Sequence, residues 1–183
     1  VMLDAAPISY PARVKHDVPA VFEETADSFT VAAPTAGTVY RIDKKSGLIT
    51  SMVHAGMELI TEPIKPTIWR APTDNDRRVK TDWFNAGYDR CETKCYSCTA
   101  AAGNDGSVTV NAELSLGARS LRPVLHASVS YKFAADGSVT PAMKVTVREG
   151  QPMLPRFGLR LIMPYGTEYI RYFGRGPLES YID

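Results

Sequence analysis

The run Thr67-Ile68-Trp69-Arg70-Ala71-Pro72-Thr73-Asp74-Asn75-Asp76 gathers an aromatic ring, a guanidinium, two carboxylates and an amide into one proline-punctuated loop. Such a set can hold a sugar. The aromatic face packs on the C–H bonds of a pyranose, while Asp, Asn and Arg offer paired acceptors and donors to neighbouring hydroxyls. A second reading needs no ligand: Asx side chains bond nearby backbone groups in turns, and Arg70 can pair with a carboxylate that would otherwise go unsatisfied. Arg70, Asp74, Asn75 and Asp76 are therefore candidates for substrate contact, and equally for holding the loop's own shape.

A second stretch, Tyr172-Phe173-Gly174-Arg175-Gly176-Pro177-Leu178-Glu179-Ser180-Tyr181-Ile182-Asp183, carries a strand into Gly-x-Gly-Pro, a backbone that must turn tightly. It is not a phosphate-binding loop, because no helix signal follows in the order such a site requires. Glu179 can bind backbone amides in this turn without meeting a substrate. The chain stops directly after the motif, from which a truncated domain is expected.

Cys91, Cys95 and Cys98 are odd in number, which argues against a disulfide framework. Their spacing lacks the fourth ligand of a structural zinc site, so no metal is assigned, and they are expected to be small residues partly buried in a strand and its neighbouring turn. His16, His54 and His126 are scattered with no partnered base, so no catalytic residue is assigned either. Trp83 and Phe84 read as packing anchors.

The elements that must position these residues are strands. Ser28 to Ala33, Thr38 to Asp43 and Leu48 to His54 alternate or are β-branched, and Gly47 supplies the positive φ for a hairpin between the last two. Ser107 to Leu116, Val124 to Phe133 and Ser138 to Val147 read as three consecutive antiparallel strands, with Asp136-Gly137 as one turn. Phe157 to Met163 and Tyr169 to Phe173 add two more. Pro141 belongs at an edge or bulge, since it cannot donate to a ladder. Helical periodicity is confined to Lys80 to Ala86, with Gly87 as its cap. The spacing of strands and turns predicts an all-β fold, a large antiparallel sandwich. A soft boundary falls near Phe22: residues 1–22 read as a linker or the tail of a preceding domain, and 23–183 as the sandwich.

Composition removes several classes of function. The 183 residues carry 21 Lys and Arg against 20 Asp and Glu, so no field of one sign draws in nucleic acid or an anionic membrane. With 44% hydrophobic and 22% charged residues the chain has an ordinary globular composition. No apolar run approaches the roughly 20 residues of a transmembrane helix. The compartment stays open between cytoplasm and periplasm.

The two loop motifs, in this order, resemble the large multidomain β-galactosidases of glycoside hydrolase family 2. Trp69-Arg70-Ala71-Pro72-Thr73-Asp74-Asn75-Asp76 is similar to the family's R-A-P-x-D-N-D signature, and Gly174-Arg175-Gly176-Pro177-Leu178-Glu179-Ser180-Tyr181 to its G-x-G-P-x-E-x-Y signature. Lys45-Ser46-Gly47-Leu48-Ile49 and Glu58-Leu59-Ile60 extend the likeness, which covers about Phe22 to Asp183. The resemblance implies the N-terminal part of the family's C-terminal supersandwich, packed on a catalytic (β/α)8 barrel and lining a galactoside pocket with Arg70, Asp74, Asn75 and Asp76. It further implies a retaining glycosidase whose two carboxyl groups, about 5–5.5 Å apart, belong to the barrel, as would any Mg or Na. This chain would then hold no cofactor and no catalytic glutamate, and the parent would be a homo-oligomer. Arg77 through Asp82 corresponds to the family's mobile loop at the mouth of the site, but lacks its glycine and is shorter. The competing readings are an independent carbohydrate-binding sandwich and a protein-interaction sandwich.

Overall fold

A computed structural model describes residues 18–169. The first sheet is a meander of five antiparallel strands, β1 (Val21–Glu24), β2 (Ser28–Ala33), β3 (Thr38–Asp43), β4 (Leu48–His54) and β5 (Met57–Glu58), in sequence order. β6 (Lys65–Thr67), the short helix α1 (Lys80–Asn85) and the long strand β7 (Cys91–Ala102) follow. Then β8 (Val108–Ala118), β9 (Leu125–Phe133) and β10 (Val139–Val147) complete a second antiparallel sheet in the order β10-β9-β8-β7, and β11 (Gly158–Arg160) pairs with β6. The all-β sandwich read from the sequence is the observed fold. Phe22, where the sequence suggests a soft boundary, lies inside β1, and residues 1–17 lie outside the described residues.

Period-2 patterning explains why these segments pair as they do. In β9 the buried residues Leu125, Ala127, Val129, Tyr131 and Phe133 alternate with exposed or half-exposed polar ones. β8 buries Val108, Val110, Ala112, Leu114 and Leu116 in register beside them. From the facing sheet come Phe29, Val31, Tyr40, Ile42, Leu48 and Ile49, and the two sets form one core. The Tyr40 and Phe133 rings meet at 4.7 Å between centroids, and the Tyr40 hydroxyl donates to the Gly137 carbonyl at 2.6 Å. Pro141 falls on β10, an edge strand, opposite Tyr131.

The cysteines obey a parity rule that their spacing hides. Residues 91 and 95 share one face of a flat strand, but 98 should point the other way. A bulge resolves this: Cys95 pairs with Leu114 and Ser97 with Glu113, leaving Tyr96 as the extra residue. All three thiols are thereby half-buried against the core, and all lie within β7 itself, with none in a turn. Burial pushes the Cys91 and Cys98 thiols up to about 11.

The two sheets approach closely at Gly47. Its φ is +68°, and a Cβ there would lie 2.7 Å from Leu114 Cδ2 and 3.0 Å from Ala112 Cβ. Gly56, with φ +80°, has nothing within 4 Å of the same position. Gly56→Ala should cost about 1 kcal/mol of backbone strain, whereas Gly47→Ala adds overpacking and should cost roughly 2–4 kcal/mol in urea unfolding. Equal costs would mean that the sheets do not close on Gly47. At pH 8, Cys91 and Cys98 should alkylate on the order of 100-fold more slowly in the folded chain than in urea, because only thiolate reacts. Comparable rates would place them in solvent.

Candidate functional site

β6 delivers Ile68, Trp69 and Arg70 to one end of the sandwich, and the pairing of Lys65–Thr67 with Gly158–Arg160 fixes that delivery. A proline-rich strap just before β11 completes the frame. Pro152 and Pro155 have no N–H of their own, yet their carbonyls, with that of Met153, accept from three side chains of the site segment. The Tyr88 hydroxyl donates to the Pro152 carbonyl at 2.8 Å, Trp83 Nε1 to Met153 at 2.9 Å and Arg70 Nε to Pro155 at 3.4 Å. Trp83 and Tyr88 are fully buried, so the strap also satisfies polar atoms that burial would otherwise strand.

Within this frame the four sequence candidates divide into two pairs. Arg70 and Asp76 face each other: both guanidinium nitrogens Nη1 and Nη2 donate to the Asp76 carboxylate, the second at 2.9 Å. Thr73 adds its backbone N–H at 2.8 Å and its hydroxyl at 3.0 Å to Asp76 Oδ2. Asp76 is the buried member, 8% exposed, and the Arg70 guanidinium lies 5.3 Å from the Trp83 ring centre. Planar, bidentate pairing and stacking on an indole are what Arg provides and Lys does not. Asp74 and Asn75 point outward, and their side chains make no hydrogen bond or ion pair among the described residues. The structure thus brings Arg70 and Asp76 together and presents Asp74 and Asn75 to the surroundings.

Asp74 to Arg78 form a 3-10 turn that runs straight into α1, with Val79 as the shared cap. Arg77 through Asp82 are therefore continuous helical turns, consistent with the lack of glycine there. Trp83 is the packing anchor expected from the sequence. Phe84 is instead 43% exposed and pairs with Trp69 at 5.2 Å between centroids. Thr73 is the residue that sequence reasoning missed, although a Thr three residues before a carboxylate is the spacing of a capping box. His54 is bonded through Nδ1 to the Thr38 hydroxyl at 2.9 Å, and His126 is on the outward face of β9; His16 and the motif around Gly174 to Tyr181 lie outside the described residues. Among the described residues no group of His, Cys, Asp and Glu is placed to hold a metal ion.

The hydrogen bonds from Arg70, and then from the Thr73 amide, hold the Asp76 carboxyl well below the ordinary carboxylate range. A carboxyl group whose folded pKa is depressed stabilises the fold above its unfolded value of about 3.9, and that contribution is lost as pH falls through the folded pKa. Asp76→Asn should therefore speed hydrogen exchange at the amides of residues 73–79 at pH 7, with the gap from the parent narrowing as pH drops below about 3.9. Unchanged protection at neutral pH would show that the carboxylate does not organise the turn.

This loop belongs to a region with identifiable relatives. The family described as beta galactosidase small chain matches residues 35–183. A beta-galactosidase of Actinobacillus pleuropneumoniae is 32% identical over 162 residues, covering 88% of this chain and 16% of that protein. One of Staphylococcus xylosus is 30% identical over 144 residues, covering 79% of this chain and 14% of its own length. One of Aeromonas hydrophila is 31% identical over 194 aligned positions, 97% of this chain and 18% of that protein. The chain thus spans about a sixth of these relatives, and with the family match extending over most of its length, it belongs to the beta galactosidase small chain family.

Proposed function

We propose that this chain is a non-catalytic sandwich module of a β-galactosidase that packs on the catalytic barrel and lends one wall to its galactoside pocket. The observation that carries the reading is the two-and-two division of the site. Arg70 and Asp76 spend their charges on each other and on Thr73, which fixes the turn, while Asp74 and Asn75 stand outward with unused hydrogen-bonding groups. A carboxylate accepts from sugar hydroxyls, and an amide both donates and accepts. Fixing them on a capped turn braced by Trp83 and the strap lowers the entropy lost when a sugar binds.

The chemistry of hydrolysis would come from elsewhere in the full-length protein. Retaining glycosidases need an acid/base and a nucleophile on either side of the scissile bond. The chain has antiparallel sheets where a barrel would alternate strands with helices. Its part is then to shape and close the pocket, with a galactoside as substrate and the barrel as partner.

Two measurements test this. The chain alone should release no nitrophenol from o-nitrophenyl β-D-galactopyranoside, and turnover by the purified chain would overturn the reading. In the full-length protein, the Asp74→Ala, Asn75→Ala double variant should lose about tenfold in kcat/KM, the size expected for one or two hydrogen bonds to a charged or polar group, with an unchanged melting temperature. A loss under about twofold would remove these residues from the pocket.

A further inference from the structure

The outward face of the second sheet carries a feature that the galactoside reading leaves unused. Most of that face is small and polar: Asn111, Ser128 and Thr140, for example, project from β8, β9 and β10. The bulge in β7 adds Tyr96, and a cavity of about 340 Å3 opens beside it. Its floor is Ser115 and Gly117. Glu92, Lys94 and Tyr96 line it from β7, and Arg119 from the start of the loop after β8.

The tyrosine is held in place. Its hydroxyl shares a 3.0 Å hydrogen bond with Ser115 Oγ, and its ring lies 6.0 Å from that of His126. Lys94 Nζ sits 5.2 Å from the Tyr96 centroid. Ser115 is only 3% exposed although it belongs to the outward row, and Tyr96 remains 53% exposed. An aromatic ring fixed by three neighbours and still half open to solvent is a preorganised platform. Gly117 leaves its part of the floor without a side chain, and a Cβ there would come within 2.9 Å of Pro123 Cα. That closes the cavity against the loop after β8.

The charges decide what would fit. Glu92 and Arg119 are exposed and make no hydrogen bond or ion pair among the described residues. Glu92 is acceptor-only, Arg119 and the neighbouring Lys94 are donor-only, and all three line the same small space. A phosphate or carboxylate ligand would meet Glu92, and an apolar one would desolvate these charges without replacing their hydrogen bonds. An uncharged ring with C–H bonds on its face and hydroxyls around its rim satisfies all of them at once. The volume is at the lower end of the range of about 300–1,000 Å3 typical of ligand sites. We propose that this cavity is a saccharide subsite, with Tyr96 as the stacking platform and Glu92 and Arg119 as the hydroxyl-binding pair. It does not depend on the role assigned to Asp74 and Asn75.

The test is a lactose titration of the full 183-residue chain followed by amide chemical shifts. Saturable shifts are expected at residues 92–96 and 115–121. Tyr96→Ala should weaken that binding about tenfold, the loss expected when a stacked ring is removed, while Tyr96→Phe keeps the ring and should stay within about threefold. If Tyr96→Ala does not fold, Glu92→Gln with Arg119→Gln replaces it, since both side chains are exposed; the same weakening is expected. Shifts confined to residues 73–76, or no saturable shift up to about 100 mM lactose, where even a weak site would fill, would overturn the proposal.

Discussion

Two twisted sheets can bury their apolar faces only where nothing stands between them, and in this chain that condition is met at Gly47. The β3–β4 hairpin turns there with a left-handed backbone, directly against Leu114, Ala112 and Cys95 of the second sheet. A single requirement, close approach, thus selects both the conformation of the turn and the absence of a side chain. Across the same interface Tyr40 meets Phe133 and donates to the Gly137 carbonyl. Gly137 in turn has a positive φ and lies tight against Thr38 and Ala36, so the sheets are pinned at two glycine turns.

How much of this is legible in the sequence follows from how regular each segment is. β2, β3 and β4 match their expected spans residue for residue, because one face of each is apolar and the turns between carry Gly or an Asx side chain. β8, β9 and β10 match to within a residue or two at their ends for the same reason. β7 is the opposite case. Its Cys, Ser, Thr and Ala residues carry little contrast between faces, and the bulge at Tyr96 breaks the alternation that would have marked it. The last stretch shrinks from the expected Phe157–Met163 to Gly158–Arg160, whose only strand partner among the described residues is the three-residue β6, and the expected strand Tyr169–Phe173 falls almost wholly outside the described residues.

The site was legible as chemistry but not as geometry. Sequence reasoning named Arg70, Asp74, Asn75 and Asp76 together and left open whether they meet a ligand or each other; the turn divides that choice between them. The one signal in the spacing that Asp76, rather than Asp74, turns inward is the Thr73-x-x-Asp76 pattern. The Thr73 cap decides it: the third helical residue is the position whose side chain can reach back to the cap. What could not be read at all is the strap, since carbonyl groups of Pro152, Met153 and Pro155 carry no side-chain signature.

The strap also changes how the surface beyond it is understood. From Met153 to Tyr169, Met153, Phe157, Leu161, Met163, Tyr165 and Tyr169 are all exposed, six large apolar side chains along one short segment. Scattered singly, such residues are ordinary on a protein surface; six along one segment are more than that. Among the described residues, β10 and β7 are the edges of the second sheet. β10 carries Pro141 and an outward Lys144, and β7 is bent by its bulge, both features that discourage a foreign strand from adding on. Because the same strap clamps Trp83, Tyr88 and Arg70, anything that packs on it bears directly on the backbone that holds the Asp74–Asn75 turn in place. In the proposed β-galactosidase, a barrel packed against the strap would act on the pocket wall through these three hydrogen bonds.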